Sequence, residues 1–457
     1  MWAGIIQDTG GDMKYKKILV ANRGEIAVRI IKALRELDIA SVAVYSDADR
    51  DSLYTKLADQ CVCIGDSRSS ESYLDTYKIL SVADLLDVDA IHPGIGFLAE
   101  NADFANLCNS YNIDFIGPSG EIISAMGNKK QSKKIAADCA LPIIQGSEFP
   151  VNTLDDCRKE LEKIGYPALL KATNGGGGKG IRVVHSPDDL ENCFELCKKE
   201  SLAAFNSDEL IIETYLSDAK HIEVQVLGDL HGNVIHLGER ECSIQRSNQK
   251  LIEETPSAHI PQSLKEKLYQ DAVHLASHIG YAGPGTVEFL VLPDHSYYFM
   301  EMNTRLQVEH TITEMVTSFD IVKEQIKIFG GEPLSIQQKD VKTQGYALQC
   351  RILSEDPDNQ FSASFGKINA LNYPTGPGVR VDSAYRCNDT ISPFYDSLIC
   401  KVCSHAPDKE TAVKKMLACL DEMHISGVKH NVSLHKSVLL NDDFIRGSYY
   451  TNFKLIS

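Results

Sequence analysis

The sequence predicts a mixed protein, with a parallel α/β domain in its N-terminal part and an α+β region with an antiparallel sheet further along. Over roughly the first 115 residues, apolar strand-like runs alternate with amphipathic helical patterns, which is typical of a parallel sheet covered by helices. From residue 216 onward, β-branched runs joined by short turn clusters favour hairpins instead.

The length of 457 residues and the apolar fraction of 43% predict two or three domains with sizeable cores. The expected divisions are an N-terminal extension over 1–13, an α/β domain over 14–117, a helical linker over 118–143, a small α/β segment over 144–215, and an α+β region over 216–457 that divides again near residue 330.

The net charge of −17 predicts an acidic surface, which opposes binding to nucleic acid or to an anionic membrane. Thirteen cysteines at irregular spacings, in a chain without a secretory signal, indicate reduced thiols and a cytoplasmic protein. No run approaches the roughly 20 apolar residues of a membrane span. We therefore expect neither a membrane nor a nucleic-acid partner, and any anionic substrate needs a local basic cluster.

The N-terminal domain begins with a strand, a helix and a second strand, in the order of a dinucleotide-binding fold. Ile18–Asn22 is an apolar run, a helical pattern starts at Gly24, and Ser41–Tyr45 is the next apolar run. The turn between strand and helix reads Asn-Arg-Gly-Glu, without the glycine fingerprint that lets a backbone approach a pyrophosphate. The sequence therefore predicts this topology without a dinucleotide.

The stretch Glu301–His310 concentrates two carboxylates, two amides, a guanidinium and an imidazole in ten positions. A carboxylate and an amide two residues apart, Glu301 and Asn303, can both offer oxygen to one hard cation. The groups that follow, Arg305, Gln307 and Glu309, can hold and deprotonate a small anion beside that cation. A solvated charged loop is the alternative interpretation.

Glu288 provides a second half of the predicted cation site. It lies in a β-branched apolar run that a turn cluster around Asp294 and His295 separates from the strand ending at Glu301. Folded as a hairpin, the two strands place Glu288 and Glu301 opposite each other within about one position. Opposed like charges destabilise a sheet, whereas a bound Mg²⁺ prefers one or two carboxylates together with phosphate oxygens.

The run Gly175–Gly178 follows the apolar strand that contains Lys171. Backbone N–H groups of consecutive glycines can approach an anion closely, and this loop joins two strands, which fits a hairpin folded over a nucleotide triphosphate. An unpaired ammonium at Lys171 is costly on such a strand, and a phosphate partner explains it. The alternatives are a flexible surface hairpin and, for Lys129 further upstream, a solvated linker lysine.

Two further stretches are consistent either with a binding role or with a purely structural one. Leu210–Leu216 is an apolar strand where two domains meet, which suits an adenine, or it is core. The polar run Glu239–Glu254 contains Arg246 and Lys250 as anion donors, and a solvated loop is equally consistent with its composition.

Together these residues resemble biotin carboxylase, an ATP-grasp enzyme, from about Lys16 to the C-terminal end. The resemblance is carried by the ordered segments KILVANRGEIAVRI, AIHPGIGFLAEN, MGNK, NGGGGKGIRVV, KHIEVQVLGD, ERECSIQR, GTVEF, EMNTRLQVEH and CRILSEDP. It implies an ATP-grasp fold, in which 144–215 is the lid subdomain. It also implies carboxylation of biotin on a carrier protein, with bicarbonate and MgATP giving carboxyphosphate before the ureido nitrogen takes up CO₂.

The resemblance also implies roles for individual residues. ATP would be held by Lys129, Lys171, Gly177, Gly178, Glu213, Thr214, Tyr215, Leu216, His221 and Asn248. One or two Mg²⁺ or Mn²⁺ ions would be bound by Glu288, Glu301 and Asn303. Bicarbonate would be surrounded by Lys250, Arg305, Gln307, Val308 and Glu309. Glu309 would be the general base, Arg305 would stabilise developing anions, and Arg351 would stabilise the deprotonated ureido oxygen of biotin.

Three positions depart from the pattern of the family. Ile95 replaces a common tyrosine near the biotin pocket, Asn248 replaces a common histidine, and Thr214 replaces a common lysine beside the adenine. An amide at Asn248 can still bond a ribose hydroxyl, whereas Thr214 weakens the expected adenine contact.

The absence of a lipoyl-like domain and of a Met-Lys biotinylation segment leads us to expect a separate biotin carboxyl carrier protein and separate carboxyltransferase subunits. The lead expectation is the homodimeric biotin carboxylase subunit of a bacterial acetyl-CoA carboxylase, serving fatty acid synthesis. Thr311, where many acetyl-CoA relatives have proline, keeps open a split pyruvate carboxylase or another acyl-CoA carboxylase. From other classes, an ATP-grasp carboxylate–amine ligase and a non-catalytic ATP-binding regulator remain alternatives.

Overall fold

The computed structural model describes residues 14–147, 149–173, 180–205 and 207–455, so the predicted N-terminal extension over 1–13 lies outside the described residues. The N-terminal part contains β1 (Lys17–Val20), α1 (Gly24–Glu36), β2 (Ala40–Ser46), α2 (Leu53–Leu57), β3 (Gln60–Gly65), α3 (Thr76–Leu85), β4 (Ala90–His92), α4 (Ala102–Ser110) and β5 (Asp114–Phe115). The strands form a parallel sheet in the order β3-β2-β1-β4-β5, which confirms the predicted α/β fold.

The turn between β1 and α1 contacts the C-terminal part of the chain. Helix α1 buries Ile30 and Leu34 against the core, as its apolar spacing predicts. Just before the helix, Arg23 donates two hydrogen bonds to the Asp49 carboxylate at 2.7 and 2.8 Å. Its guanidinium lies 4.1 Å from the ring centre of Tyr395. The arginine of this turn therefore joins sequence-distant parts of the molecule.

A helical segment and a small antiparallel sheet follow. Their elements are α5 (Gly120–Gly127), α6 (Lys129–Asp138), α7 (Leu154–Ile164), β6 (Ala168–Ala172), β7 (Ile181–Val184), α8 (Leu190–Phe205) and β8 (Leu210–Thr214). Strand β6 is central, in the order β7-β6-β8. Gly177 and Gly178, the glycines assigned to the ATP phosphates, lie outside the described residues.

The remaining elements build a large antiparallel sheet and its coverings. They are β9 (Lys220–Gly228), β10 (Val234–Arg246), β11 (Gln249–Thr255), α9 (Gln262–His278), β12 (Gly283–Val291), β13 (Tyr297–Asn303), α10 (His310–Thr317), α11 (Ile321–Phe329), β14 (Tyr346–Leu353), β15 (Glu355–Asp356), β16 (Ser362–Ala363), β17 (Gly366–Lys367), β18 (Ala370–Asn372), β19 (Val379–Ser383), β20 (Thr390–Ile391), β21 (Leu398–Ala406), α12 (Lys409–Glu422), β22 (His424–Ser426), α13 (Val432–Leu439) and α14 (Asp442–Arg446). The eight-stranded sheet has the order β13-β12-β9-β10-β11-β14-β21-β19. It confirms the predicted antiparallel architecture.

The predicted hairpin between β12 and β13 is present in the predicted register. Glu288 and Glu301 are direct cross-strand partners, and the register shifts between Glu288 and Phe289. On its other side, β12 pairs with β9, which places Glu223 opposite Glu288. The three strands at this edge of the sheet therefore carry three glutamates side by side.

The polar run Glu239–Glu254 is a buried hairpin, so the solvated-loop interpretation was wrong. Strands β10 and β11 pair up to Arg246 and Gln249, and the turn residues Ser247 and Asn248 have φ values of 49° and 64°. Composition could not decide between the two interpretations, because it does not show that the charged side chains of this run are compensated inside the sheet rather than by water.

The thirteen cysteines are free thiols. Cys400 and Cys403 on β21 are fully buried. Cys61 and Cys63 are exposed, because β3 is an edge strand and these side chains face outward. Within the described part of the chain, no helix combines the length and the apolar character needed to cross a bilayer.

We expect thiol labelling of the native protein to follow the division between exposed and buried cysteines. A small alkylating reagent should modify Cys61, Cys63 and Cys387 first, because their side chains are exposed. Mass spectrometry of digested protein reads the order of modification. Labelling of Cys400 or Cys403 at the same rate, in folded protein, would contradict the assigned burial.

Candidate active site

The candidate site lies on one face of the central strands, where charged side chains replace apolar ones. The β-strand period of two puts alternate residues on the same face, so Glu223 on β9 and Arg240 on β10 point toward Glu288 on β12. Arg240 is fully buried and forms an ion pair with Glu223. Lys250 on β11 and Arg351 on β14, the next two strands after β10 in the sheet, also lie on this face.

Lys250 forms ion pairs with three carboxylates of the site. Its ammonium lies 2.5 Å from Glu223, 2.9 Å from Glu288 and 2.7 Å from Glu309. Burial acts to lower the pKa of Lys250, but the three carboxylates outweigh it and raise that pKa well above its ordinary value. The lysine is therefore permanently charged and ties the predicted cation ligands to the predicted anion pocket.

Glu309 is held between two cations. Besides Lys250, it accepts a hydrogen bond from Arg351 at 2.9 Å, and Arg351 also donates to Glu253 at 2.5 Å. Burial acts to raise the pKa of Glu309, but Lys250, Arg351 and Arg240 bring that pKa well below its ordinary value. Glu309 is thus ionised, the protonation state that a general base requires, although the same cations weaken its affinity for a proton.

Arg305 has a partner that the sequence did not indicate. Its guanidinium donates to Glu100 at 2.7 Å, to the side chain of Gln307 at 2.9 Å and to that of Asn303 at 3.0 Å. Gln307 in turn lies 3.2 Å from a carboxylate oxygen of Glu288. The structure therefore brings Arg305 and Gln307 to the site, with Arg305 compensated by a carboxylate of the N-terminal domain.

The cation half contains an uncompensated carboxylate. Glu288 is bonded by Lys250 and by the Asn303 amide, each at 2.9 Å. Among the described residues, the Glu301 carboxylate makes no hydrogen bond or ion pair, and burial together with the charge of Glu288 raises its pKa. This donor set fits a hard divalent cation, because such an ion would neutralise the repulsion between Glu288 and Glu301.

His221 closes this part of the site. The Gln245 amide nitrogen lies 2.7 Å from Nδ1 of His221, and Nε2 of the same ring lies 2.9 Å from a carboxylate oxygen of Glu288. His221, Glu223 and Glu288 place their ligand atoms within 4.8 Å of one another, as do Glu223, Cys242 and Glu309. The Lys250 ammonium bonds members of both groups, so these clusters already have a fixed cation.

The residues assigned to the ATP phosphates and adenine lie on α6, β6 and β8. Lys171 forms an ion pair with Glu213 at 2.5 Å, and Lys133 pairs with the same carboxylate. Burial acts to raise the pKa of Glu213, but the two lysines lower it to about 2. The argument that Lys171 lacks a partner was therefore wrong, because a cross-strand glutamate compensates it. Lys129 is partly buried and donates to the backbone carbonyl of Ala172 at 3.4 Å, so the solvated-lysine alternative does not hold, and burial lowers the pKa of Lys129.

The other assigned nucleotide residues lie at the ends of strands. Thr214 ends β8, its backbone N–H donates to Gln145, and Tyr215 N–H donates to Pro167. Leu216, just beyond, is partly buried, and Asn248 is exposed at the tip of the β10–β11 hairpin.

Sequence reasoning missed several charged residues that the fold brings to the site. They are Glu100, Lys133, Glu223, Arg240 and Glu253. The sequence did contain a signal for the residues on strands. A charged group inside a β-branched run needs a buried partner, so each of these positions indicates a buried ion pair. The partners themselves lie far apart in sequence and meet only through the order of the strands.

His435 contacts the backbone of the site residue Arg351, and its burial makes the stability of the fold sensitive to acid. Its Nε2 lies 2.8 Å from the backbone carbonyl of Arg351, and burial lowers the pKa of His435 to about 4. Between pH 6.5 and about 4 the unfolded chain binds a proton here that the folded chain excludes, so stability falls as the pH falls through this window. The contribution is about 1.4 kcal/mol per pH unit.

The variant His435→Gln should therefore show a shallower loss of urea-unfolding stability over that pH window than the wild type does. His185→Gln, a change at an exposed histidine, is the matched control and should follow the wild-type curve. Equal slopes for His435→Gln and wild type would contradict the assignment of a buried, neutral imidazole.

Comparisons with known proteins agree with this geometry. Residues 14–123 match the family model of the biotin carboxylase N-terminal domain, and residues 349–454 match that of the biotin carboxylase C-terminal domain. Between them, residues 128–337 match the ATP-binding domain of the carbamoyl-phosphate synthase L chain.

Individual relatives cover almost the whole chain. Biotin carboxylase 1 of Bacillus subtilis is 47% identical over 439 residues, covering 96% of this chain and 98% of the relative. The biotin carboxylase of a Nostoc species is 46% identical over 441 residues, covering 96% of this chain and 99% of the relative.

Solved structures are similar over the same extent. The biotin carboxylase domain dimer of Hydrogenobacter thermophilus 2-oxoglutarate carboxylase, in complex with MgADP, ADP and bicarbonate, has a TM-score of 0.94 and 43% identity, and the alignment covers 97% of each chain. The biotin carboxylase subunit of a pyruvate carboxylase has a TM-score of 0.82 and 45% identity, covering 96% of this chain and 97% of that one. With three family models matched in order and near-complete relatives at this identity, the chain belongs to the biotin carboxylase family of ATP-grasp ligases.

Proposed function

We propose that this enzyme carboxylates biotin with bicarbonate and ATP through carboxyphosphate, and that the residues of the candidate site carry out the reaction. The observation that carries the proposal is the position of Lys250, which bonds both Glu288 and Glu309. One fixed cation thus links a carboxylate suited to a nucleotide-bound metal with a carboxylate suited to proton transfer. Phosphoryl transfer to a small anion needs this combination of positioning and charge compensation.

On this proposal, the phosphates are held by Lys129, Lys171, Gly177 and Gly178, and the nucleoside by Glu213, Thr214, Tyr215, Leu216, His221 and Asn248. Glu288, Glu301 and Asn303 would hold one or two Mg²⁺ or Mn²⁺ ions, which would neutralise charge on the phosphates. Lys133 adds to the assigned set, because it shares the Glu213 carboxylate with Lys171. The separation into lid, linker and flanking domains stays a prediction.

In the first step, Glu309 accepts the proton of bicarbonate while a bicarbonate oxygen attacks the γ-phosphorus and ADP leaves. Lys250, Arg305, Gln307 and the backbone of Val308 position the anion. A bound anion competes with Glu309 for the donors of Lys250 and Arg351, and loss of those bonds raises the proton affinity of Glu309. The low pKa of the resting carboxylate therefore changes when the substrate arrives.

Carboxyphosphate then gives CO₂ and phosphate. The released phosphate accepts the proton of the biotin ureido nitrogen, and that nitrogen attacks the CO₂. Arg351 stabilises the negative charge on the ureido oxygen, which is an oxyanion role. The support is its location beside Glu309, on the strand next to Lys250.

The partners proposed are a separate biotin carboxyl carrier protein and carboxyltransferase subunits, with the enzyme acting as a homodimer in the cytoplasm. Acetyl-CoA is the acceptor we favour, which places the reaction in fatty acid biosynthesis. Pyruvate is the second candidate, because the biotin carboxylase subunit of a pyruvate carboxylase is nearly as similar in sequence as the Bacillus biotin carboxylase. Reconstitution with the cognate carrier and transferase distinguishes them by product, malonyl-CoA against oxaloacetate.

The experiment that tests the function is ATP hydrolysis with and without bicarbonate and free biotin. We expect hydrolysis to require bicarbonate and to rise with biotin. Hydrolysis that instead requires an amine and a carboxylate would support a carboxylate–amine ligase, and tight ATP binding without turnover would support a regulator. Either result would overturn the proposal.

A further inference from the structure

The loop between β13 and α10 carries residues proposed to bind bicarbonate. A lysine outside the assigned site, Lys401, holds the backbone of this loop. Lys401 on β21 has a fully buried side chain, and its ammonium donates to the backbone carbonyl of Val308 at 3.0 Å. The same ammonium lies 3.1 Å from Glu25 at the start of α1 and 3.8 Å from Asp382 on β19. A buried lysine thus joins the N-terminal domain, the C-terminal sheet and the loop between β13 and α10.

This position matters because of what the loop presents. Val308 lies between Gln307 and Glu309, and those side chains bond Glu288 and Lys250 respectively. A shift of the Val308 peptide moves both side chains at once. Displacements of about 1 Å at a reacting centre can cost on the order of 100-fold in rate.

A second anchor holds the adjacent peptide. Nδ1 of His310 lies 2.7 Å from the carbonyl of Gln307, and the imidazole is fully buried. The carbonyl can only accept, so Nδ1 carries the proton. Two consecutive carbonyls of the loop are therefore fixed by side chains that do not themselves face the anion pocket.

We propose that Lys401 is a positioning residue for bicarbonate, which sets the backbone of the Gln307–Glu309 loop through the Val308 carbonyl. This inference rests on the proposed function. It assigns the lysine no contact with a substrate, and it predicts that the use of bicarbonate depends on Lys401 more than the binding of nucleotide does.

The test uses variants that separate positioning from stability. Lys401→Met removes the bond to Val308 but leaves Glu25 as a buried unpaired carboxylate, which is itself destabilising. The double variant Glu25→Gln/Lys401→Met removes that charge as well, while Asp382 keeps its ion pair with Arg380 at 2.8 Å. The double variant should therefore regain thermal stability without regaining the anchor.

The matched control is Lys220→Met. Lys220 is also a buried lysine that pairs with a glutamate, Glu241 at 2.6 Å, and donates to a backbone carbonyl, Tyr449 at 3.1 Å. It lies on the opposite face of the sheet, away from the loop between β13 and α10. Its loss should lower the melting temperature without a selective effect on bicarbonate.

We expect both Lys401 variants to raise the KM for bicarbonate and to lower kcat of bicarbonate-dependent ATP hydrolysis, by on the order of tenfold to 100-fold in kcat/KM. The Kd for ATP should stay at the wild-type value. A double variant with wild-type kcat/KM for bicarbonate would overturn the inference. A double variant that loses ATP binding and bicarbonate use in parallel would also overturn it, because that is a structural effect. The wild-type enzyme is measured first, and failure of its bicarbonate dependence would count against the proposed function instead.

Discussion

Glu309→Gln is expected to abolish bicarbonate-dependent ATP hydrolysis while leaving ATP binding intact. The change keeps the size of the side chain and removes its ability to accept a proton, and loss of a general base typically costs about 10²–10⁴-fold in rate. ATP binding should survive because Glu309 bonds Lys250 and Arg351 rather than the lysines assigned to the phosphates. Steady-state hydrolysis and equilibrium nucleotide titration measure the two properties separately.

Glu241→Gln is the matched control for this experiment. Glu241 is likewise a fully buried glutamate paired with a lysine, but it points to the opposite face of β10. It should lose stability without losing the bicarbonate-dependent reaction. Near-normal turnover in Glu309→Gln would refute the assignment of the base.

Arg351→Ala is expected to reduce the carboxylation of biotin more than bicarbonate-dependent ATP hydrolysis. Removal of one donor from an oxyanion site typically costs about 10²–10³-fold, and only the second half of the reaction develops charge on biotin. The structure adds a complication, because Arg351 also compensates Glu253 and Glu309.

The double variant Arg351→Ala/Glu253→Gln separates these effects, since it removes one of the carboxylates that the single variant leaves unpaired. Biotin carboxylation should remain low in the double variant, while the ATPase activity should recover toward the wild-type rate. An equal loss of both activities in both variants would count against a specific role toward biotin.

The fold and half of the site could be predicted from the sequence for local reasons. A turn cluster between two β-branched runs sets the register that opposes Glu288 and Glu301, and alternating strand and helix patterns predict the parallel N-terminal sheet. Such signals lie within one hairpin or one βαβ unit, so neighbouring residues suffice to read them.

The charge network was not predictable in the same way. Lys250 meets Glu223 and Glu309 only because β9, β10, β11 and β14 are neighbours and the loop after β13 folds over them. Composition left a solvated loop as an equal alternative for the hairpin that contains Lys250, because a sequence shows the charges but not their partners. Lys171 was misjudged for the same reason, since Glu213 pairs with it from an adjacent strand.

The central claim is that one site uses ATP to transfer the carbon of bicarbonate to biotin. Incubation of the wild-type enzyme with carbon-14 bicarbonate, ATP, Mg²⁺ and free biotin tests it most directly, with Glu309→Gln in parallel. We expect ATP-dependent, acid-labile label on biotin with the wild type and none above background with the variant. ATP hydrolysis without any label on biotin, or equal labelling by both proteins, would contradict it.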